Sequence, residues 1–395
     1  MRMPSRRVLA TLIGASAVML TTTGVVIAGT PALNDWPYGP QDHASATLVA
    51  VGDIACEPND AENSTTPSSL KCGSPALGGY AAEFATAAQA QGMHPDAVAL
   101  LGDEQYEVGK LTDFEQSFDQ AWGGLKALER PAPGNHEYYA YTKKGDNEAA
   151  QNGLGYFSYF NGHQQDGAPY AQGQAGDDNA TTQGWYSYDL NGWHVISLNA
   201  ECASATFNND CSTTDGGLLA QETAWLAQDL KQSHDQCTIA YWHQPTFSAT
   251  TPASAGVDPA GVGAGGPEGL ATDAWWKLLY ADHATLILNG HEHAYARFRP
   301  MDPQGQSDPK NGITQLTIGS GGEALDTLAT DAAGAYSNPN VVTAQAAAYG
   351  VGKLTLTHNH WSIDYAPSYA PPGAPSNALS YHDTASGSCR GDADS

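Results

Sequence analysis

The chain has 395 residues, 41% hydrophobic and 15% charged, enough to bury the core of one large domain or two ordinary ones. Its 42 Asp and Glu against 16 Lys and Arg leave a net charge of -26, which argues against a nucleic-acid partner, because a phosphate backbone needs a basic face. A small anionic substrate would be repelled at long range, so its attraction has to be local and come from bound cations.

Arg2, Arg6 and Arg7 precede an apolar stretch beginning at Val8, followed by the small residues Gly29, Thr30 and Ala32. This is the layout of a secretory signal over residues 1–32. Ser5-Arg6-Arg7-Val8-Leu9 also fits a twin-arginine export motif. An uncleaved membrane anchor is the alternative, but the stretch is barely long enough and Gly14 and Gly24 weaken it. No later segment approaches a membrane span, so the expectation is a secreted protein with no membrane attachment once the signal is gone. Cys56, Cys72, Cys202, Cys211, Cys237 and Cys389 make an even count, read as disulfides in that compartment. Cys56 with Cys72 and Cys202 with Cys211 would close short loops, and Cys237 with Cys389 would pin the tail, one pairing among several the count permits.

The first half alternates strand and helix patterns. Thr47–Val51 reads as a strand, followed by a helix with Leu77, Tyr80, Phe84 and Ala88 on one stripe. Ala97–Leu101 is the next strand, and Thr112-Asp113-Phe114-Glu115 is a capping-box pattern opening a helix with Phe114, Phe118 and Trp122 inside. Such alternation implies crossover units and an α/β sheet. Residues 145–184, rich in Gly, Asn, Gln and Asp, read as a surface excursion. Trp185–Asp189 and Trp193–Leu198 form a hairpin pattern about Asn191-Gly192. A helix carrying Leu219, Leu226 and Leu230 leads to strand Thr238–Trp242, and one carrying Trp275, Trp276 and Leu279 leads to strand Thr285–Leu288. Ile313–Ile318, Lys353–Thr357 and Trp361–Tyr365 read as closing strands. One domain is expected over residues 33–366, with residues 367–395 a Pro/Ser/Gly-rich tail tethered only at Cys389.

Five apolar runs end in side chains that bind metals: Gly52-Asp53, Gly102-Asp103, Gly134-Asn135-His136-Glu137, Trp242-His243, and Gly290-His291-Glu292-His293. Strand ends are where open α/β sheets bind ligands, and Asp, Asn and His gathered there suit metal ions. Two-metal hydrolysis needs a shared anionic ligand and several private ones. Asp53, Asp103, Asn135, His243, His291 and His293 supply such a set, with Tyr106 nearby. The glycines before Asp53, Asp103, Asn135 and His291 are expected to permit tight turns. His358 and His360, a second paired motif without a Gly turn or a neighbouring carboxylate, read as strand residues rather than ligands, and His194 as a half-buried strand residue. Gly319-Ser320-Gly321-Gly322 proves nothing alone.

The five blocks, with Gly102-Asp103-Glu104-Gln105-Tyr106 and Gly290-His291-Glu292-His293-Ala294-Tyr295 intact, resemble the calcineurin-like metallophosphoesterases, and among them the purple acid phosphatase type. The resemblance implies a four-layer α/β/β/α sandwich, two mixed sheets flanked by helices. It implies that Asp53, Asp103, Tyr106 and His293 hold one metal, typically iron. Asp103, Asn135, His243 and His291 would hold a second, typically zinc, manganese or iron, with Asp103 bridging. Asn135 and His136 would contact the substrate, and His136 would protonate the leaving oxygen while a metal-activated hydroxide attacks phosphorus. The implied activity is secreted phosphomonoester hydrolysis on a small phosphate-ester substrate. The alternatives are a phosphodiesterase or nucleotide hydrolase on the same metals, or a non-catalytic secreted binding protein that keeps the fold. Two departures stand out. The Asp-x-His opening of many members is missing, because Ile54 and Ala55 follow Asp53, and no His lies between His243 and His283 to serve as a second proton donor.

Overall fold

The computed structural model describes residues 45–58, 82–143, 146–161, 184–233, 237–251 and 269–390. The signal expected over residues 1–32, and with it the export route, lies outside them. Fifteen strands and six α-helices are described: β1 (Ala46–Val51), α1 (Ala82–Gly92), β2 (Ala97–Leu101), α2 (Leu111–Asp113), α3 (Asp119–Ala121), β3 (Glu129–Ala132), β4 (Tyr141–Lys143), β5 (Asp146–Glu148), α4 (Leu154–Asn161), β6 (Tyr186–Leu190), β7 (Trp193–Ser197), α5 (Leu218–Gln232), β8 (Cys237–Tyr241), α6 (Gly269–Ala281), β9 (Leu286–Asn289), β10 (Tyr295–Phe298), β11 (Thr314–Ile318), β12 (Val341–Gln345), β13 (Tyr349–Leu356), β14 (His360–Tyr369) and β15 (Asp383–Ser388).

Two mixed sheets carry the fold, ordered β15-β14-β13-β1-β2-β3 and β12-β10-β11-β9-β8-β7-β6. Strand alternation sorts the side chains into layers. Leu48, Ala50, Ala99 and Leu101 of the first sheet meet Val195, Ile239, Leu286 and Leu288 of the second in one buried layer. The opposite faces, Val49, Val51, Val98 and Leu100, are covered by α1, α4 and the helical stretch through Phe114, Phe118 and Trp122. On the second sheet Ile196, Ala240 and Ile287 pack under Leu226 of α5 and Trp275 of α6. The result is the expected four-layer α/β/β/α sandwich. The β6–β7 hairpin turns at Asn191 and Gly192 with φ of 52° and 79°, the left-handed pair such a tight turn requires.

Several local expectations are corrected. The buried face of α1 is Ala82, Glu83, Thr86, Ala87 and Ala90; Ala88 is exposed, and Leu77 and Tyr80 lie outside the described residues. The capping box does not form: the helix starts after Lys110, which makes no side-chain cap bond, and passes through a π-helical segment, Phe114–Phe118, into α3. The excursion at 145–184 begins as core, because α4 buries Tyr156, Phe157, Tyr159 and Phe160. The last segment is more than a tethered tail: β15 pairs antiparallel with β14 along Ser388↔His360 to Asp383↔Tyr365 and forms a sheet edge. The disulfides Cys202–Cys211 and Cys237–Cys389 are present. Cys56 is also disulfide-bonded; its expected partner, Cys72, lies outside the described residues.

Candidate metal centre

β1, β2 and β3 run parallel in one sheet, and β8, β9 and β11 run parallel in the other. Asp53 follows β1, Asp103 and Tyr106 follow β2, Asn135 and His136 follow β3, His243 follows β8, and His291 and His293 follow β9. Their carboxyl ends therefore meet at one end of the sandwich, the position where such sheets bind ligands.

The side chains form two joined groups. The Tyr106 hydroxyl lies 3.1 Å from Asp53 Oδ1, from Asp103 Oδ2 and from His293 Nε2, and His293 Nε2 lies 3.3 Å from Asp53 Oδ1. Asn135 Oδ1 lies 3.0 Å from His243 Nε2 and from His291 Nδ1, which are 3.1 Å apart. Asp103 joins the groups, because the same Oδ2 that faces Tyr106 lies 3.0 Å from His243 Nε2. Asp53, Asp103, Tyr106, His243 and His291 are buried, while Asn135, His136 and His293 are partly exposed and mark the opening.

Backbone groups aim these side chains. Asp103 Oδ1 accepts the His136 N–H at 2.8 Å and Asp53 Oδ2 accepts the His291 N–H at 2.8 Å, leaving the other oxygen of each carboxylate toward the centre. The outer nitrogens of two imidazoles are committed: His243 Nδ1 sits 2.9 Å from the Leu101 carbonyl, and His293 Nδ1 2.7 Å from that of Ala324. Each ring donates there, which fixes its tautomer and leaves Nε2 facing the centre, where it could serve as a ligand atom. Buried Glu137 accepts N–H bonds from Gly134 (2.8 Å), Asp103 (3.1 Å) and Gln105 (3.2 Å), tying two site turns together.

Asp53, Asp103 and His291 are non-glycine residues with φ of 60°, 50° and 67°, a conformation that costs energy and clusters at functional sites. This corrects the expectation for the glycines. Only Gly102 among the four has positive φ; the site residues themselves take the left-handed turns. The glycines are needed for close approach: a Cβ on Gly134 would lie 2.3 Å from Asp103 Oδ1, and one on Gly290 2.6 Å from the Leu101 carbonyl. The Gly319–Gly322 loop packs here as well, since a Cβ on Gly319 would lie 2.5 Å from Asp53 Oδ2.

The electrostatics suit a bound cation. Burial alone would raise the Asp103 carboxyl, but the charges of His243 and His136 outweigh it and hold it far below the usual carboxylate range. Burial opposes protonation of His243, yet Asp103 and Asp53 push it up to about 10. Burial likewise opposes charge on His293, and Asp53, Asp326 and Glu323 push it up to about 10. Burial, with the charges of Asp103 and Asp53, drives the Tyr106 phenol well above its ordinary value. These carboxylates collect protons where cations would sit, and a cation reverses the preference at each ligand. Carboxylate, phenol, amide carbonyl and imidazole form a donor set suited to iron, zinc or manganese. The ligand atoms of Asp103, His243 and His291 all lie within 4.8 Å of one another.

His136 stands apart from these two side-chain groups. Its Nδ1 lies 2.7 Å from the Glu107 carbonyl, its ring leans on Tyr106 with centroids 4.2 Å apart, and its side chain is 25% exposed. His358 and His360 are exposed at the turn into β14, away from the centre. His194 is clamped between Asp229 (2.8 Å) and Asp189 (3.1 Å). Sequence reasoning missed Asp326, which accepts the His293 N–H at 2.9 Å, as well as Glu137 and the carbonyls of Leu101, Ala324 and Glu107. Carbonyls carry no side-chain signal. Glu137 was visible only as the neighbour of Asn135-His136.

A profile described as calcineurin-like phosphoesterase matches residues 46–295, which contain every residue of this centre. Two Arabidopsis thaliana proteins are similar over part of the chain. Probable purple acid phosphatase 20 is 28% identical over 185 residues, 45% of this chain and 37% of that protein. Purple acid phosphatase 18 is 28% identical over 187 residues, 45% and 36% of the two chains. The matches thus span just over a third of those relatives. Among solved structures, purple acid phosphatase PPD1 from yellow lupin (Lupinus luteus) seeds is similar with a TM-score of 0.58 at 16% identity, over 87% of this chain and 54% of that one. A structure of PhoD is similar with a TM-score of 0.54 at 11% identity, over 89% and 71%. Both likenesses concern the fold.

Proposed function

The chain belongs to the calcineurin-like phosphoesterase family, and on that footing we propose that it is a secreted phosphatase that hydrolyses small phosphomonoesters at a two-metal centre. One observation supports this above the rest: Asp103 Oδ2 faces both the Tyr106 hydroxyl at 3.1 Å and His243 Nε2 at 3.0 Å, as a shared anionic ligand must. Asp53, Asp103, Tyr106 and His293 would hold the first ion, iron. Asp103, Asn135, His243 and His291 would hold the second, zinc, manganese or iron. When bound, the pair supplies Lewis-acid neutralisation of the phosphoryl group and an acidified water as nucleophile.

The chain's own residues do the rest. Asn135, partly exposed at the opening, offers its side-chain amide to the phosphoryl oxygens. His136 presents Nε2 to the opening because Nδ1 donates to the Glu107 carbonyl; in the doubly protonated ring Nε2–H would supply the proton for the leaving oxygen while Nδ1–H stays on the carbonyl. The flanking backbone anchors hold this geometry before substrate arrives, which is where most of such a site's stabilisation originates. Disulfides at Cys56, Cys202–Cys211 and Cys237–Cys389 accord with an oxidising compartment. No helix among the described residues is long and apolar enough to cross a membrane.

Turnover of an aryl phosphate against its bis-aryl analogue, by metal-loaded protein, tests the reading. Preference for the monoester is expected. Preference for the diester would reassign the substrate class, and no turnover of either would return the chain to a binding role.

A further inference from the structure

At the other end of the strands that carry His243, His291 and His293 lies an open groove of about 610 Å³. Strands of four to five residues, β8 and β9, separate the two ends, a span of roughly 15 Å at ~3.3 Å per residue. The groove is walled by the starts of β9 and β11, the end of β10, the following loop and the end of β15. Its lining contains Arg297, Arg299, Lys310 and Arg390, four of the chain's 16 Lys and Arg, and no Asp or Glu from a chain with 42. On a molecule of net charge -26 this is a local inversion of sign.

The cations come from separate segments and are held differently. Arg297 is neutralised by Asp383, with Nε 2.8 Å from Oδ2 and Nη2 2.9 Å from Oδ1, and serves as wall. Arg390 donates to the Asn311 carbonyl and follows Cys389, which is bonded to Cys237; Asp308, held by the Tyr280 hydroxyl at 2.7 Å, offsets part of its charge. Arg299 and Lys310 are exposed and have no ion-pair partner among the described residues. Trp361 and His283 complete the lining relevant here.

We propose that this groove is a second, non-catalytic binding site for a compact multivalent oxyanion carrying phosphate- or sulfate-type groups. Guanidinium and ammonium donors lining one groove match such oxygens, and the volume is in the range of small-molecule sites. Size and charge favour a small ligand over a long polyanion. Fields are screened over about 8 Å at physiological ionic strength, so a compact anion feels the groove, while a polymer reaching past it meets the acidic remainder. The inference stands apart from the phosphatase reading, because no residue of the metal centre lines the groove.

The test is fluorescence anisotropy of the trisulfonate dye pyranine with the metal-loaded full chain, followed by displacement with inorganic pyrophosphate. One dye should bind per chain and pyrophosphate should displace it. The R299E/K310E double variant should lose affinity about tenfold or more, as expected for removing charge-assisted contacts, with aryl-phosphate turnover unchanged as the control for folding. The milder R299Q/K310Q pair should show a smaller loss in the same direction. Absence of binding to the native protein, binding by both double variants as tight as that of the native chain, or displacement by dextran sulfate but not by pyrophosphate would each overturn the proposal.

Discussion

Replacing Gly134 with Ala isolates how finely the centre is built. Gly134 has φ -112° and ψ -175°, extended backbone that alanine adopts freely, so conformational strain contributes nothing. The obstacle is contact: the new Cβ would sit 2.3 Å from Asp103 Oδ1 and 2.4 Å from Asp103 N, and at least 0.7 Å of separation must be found to reach 3.0 Å. Asp103 cannot yield cheaply. Its N–H is bonded to Glu137, its Oδ1 to the His136 N–H, and its Oδ2 is fixed between Tyr106 and His243. Overpacking of this kind costs about 1–3 kcal/mol of stability. Metal–ligand distances tolerate only ~0.2 Å, so the shift should reduce metal content and lower turnover roughly 100-fold, as misplacements near 1 Å do. Elemental analysis, denaturant unfolding and aryl-phosphate kinetics read the three effects. The control is Gly92→Ala near the end of α1, where an added Cβ meets nothing within 4 Å; it should be neutral or stabilise by up to ~1 kcal/mol. A Gly134→Ala protein with full metal content and native turnover would refute the close-approach reasoning.

Three further outcomes are expected. His136→Ala should lower turnover by roughly 10²–10⁴-fold, the range for loss of a general acid, with metal content by elemental analysis unchanged; loss of metal would make it a ligand instead. Tyr106→Phe should bleach the visible absorption of an iron-loaded protein, and an unchanged spectrum would remove the phenol from the iron. Glu83 is pushed by burial from 4.5 up to about 8, against the Ser117 hydroxyl and the Cys56 backbone. Because the folded state holds this proton more tightly, its contribution to stability is complete below pH 4.5 and lost as pH rises through 8, with a slope of at most about 1.4 kcal/mol per pH unit. Urea midpoints should fall less with pH in Glu83→Gln than in the native chain across that window; parallel pH profiles would count against the burial argument.

Much of the candidate centre was legible because most of its side chains follow short, largely apolar strands, β3 (Glu129–Ala132) being the exception. A run such as Ala97–Leu101 has to be a buried strand, and a carboxylate straight after it has to stand at a sheet end. The hairpin at Asn191-Gly192 was legible for a similar reason, since few residues take two left-handed turns. Local patterns misled where tertiary packing decided. The Thr112–Glu115 box lost to a start after Lys110, and α1 buries Glu83 and Thr86 rather than a clean apolar stripe because Thr86 bonds the Gly321 carbonyl at 2.7 Å. β15 reads Asp-Thr-Ala-Ser-Gly-Ser and carries almost no apolar signal. It is a strand because the neighbouring edge of β14 is open and Cys389 is tied to Cys237. The roles of Gly134 and Gly290 needed coordinates, because close approach between segments far apart in the chain leaves no trace in local sequence.

Anomalous X-ray diffraction from crystals of metal-loaded protein, recorded on either side of the iron and zinc edges, tests the central claim most directly. Two peaks about 3.5–4 Å apart are expected, one beside Tyr106 and His293 and one beside His243 and His291, with Asp103 touching both. A single peak, or two that do not share Asp103, would contradict the account.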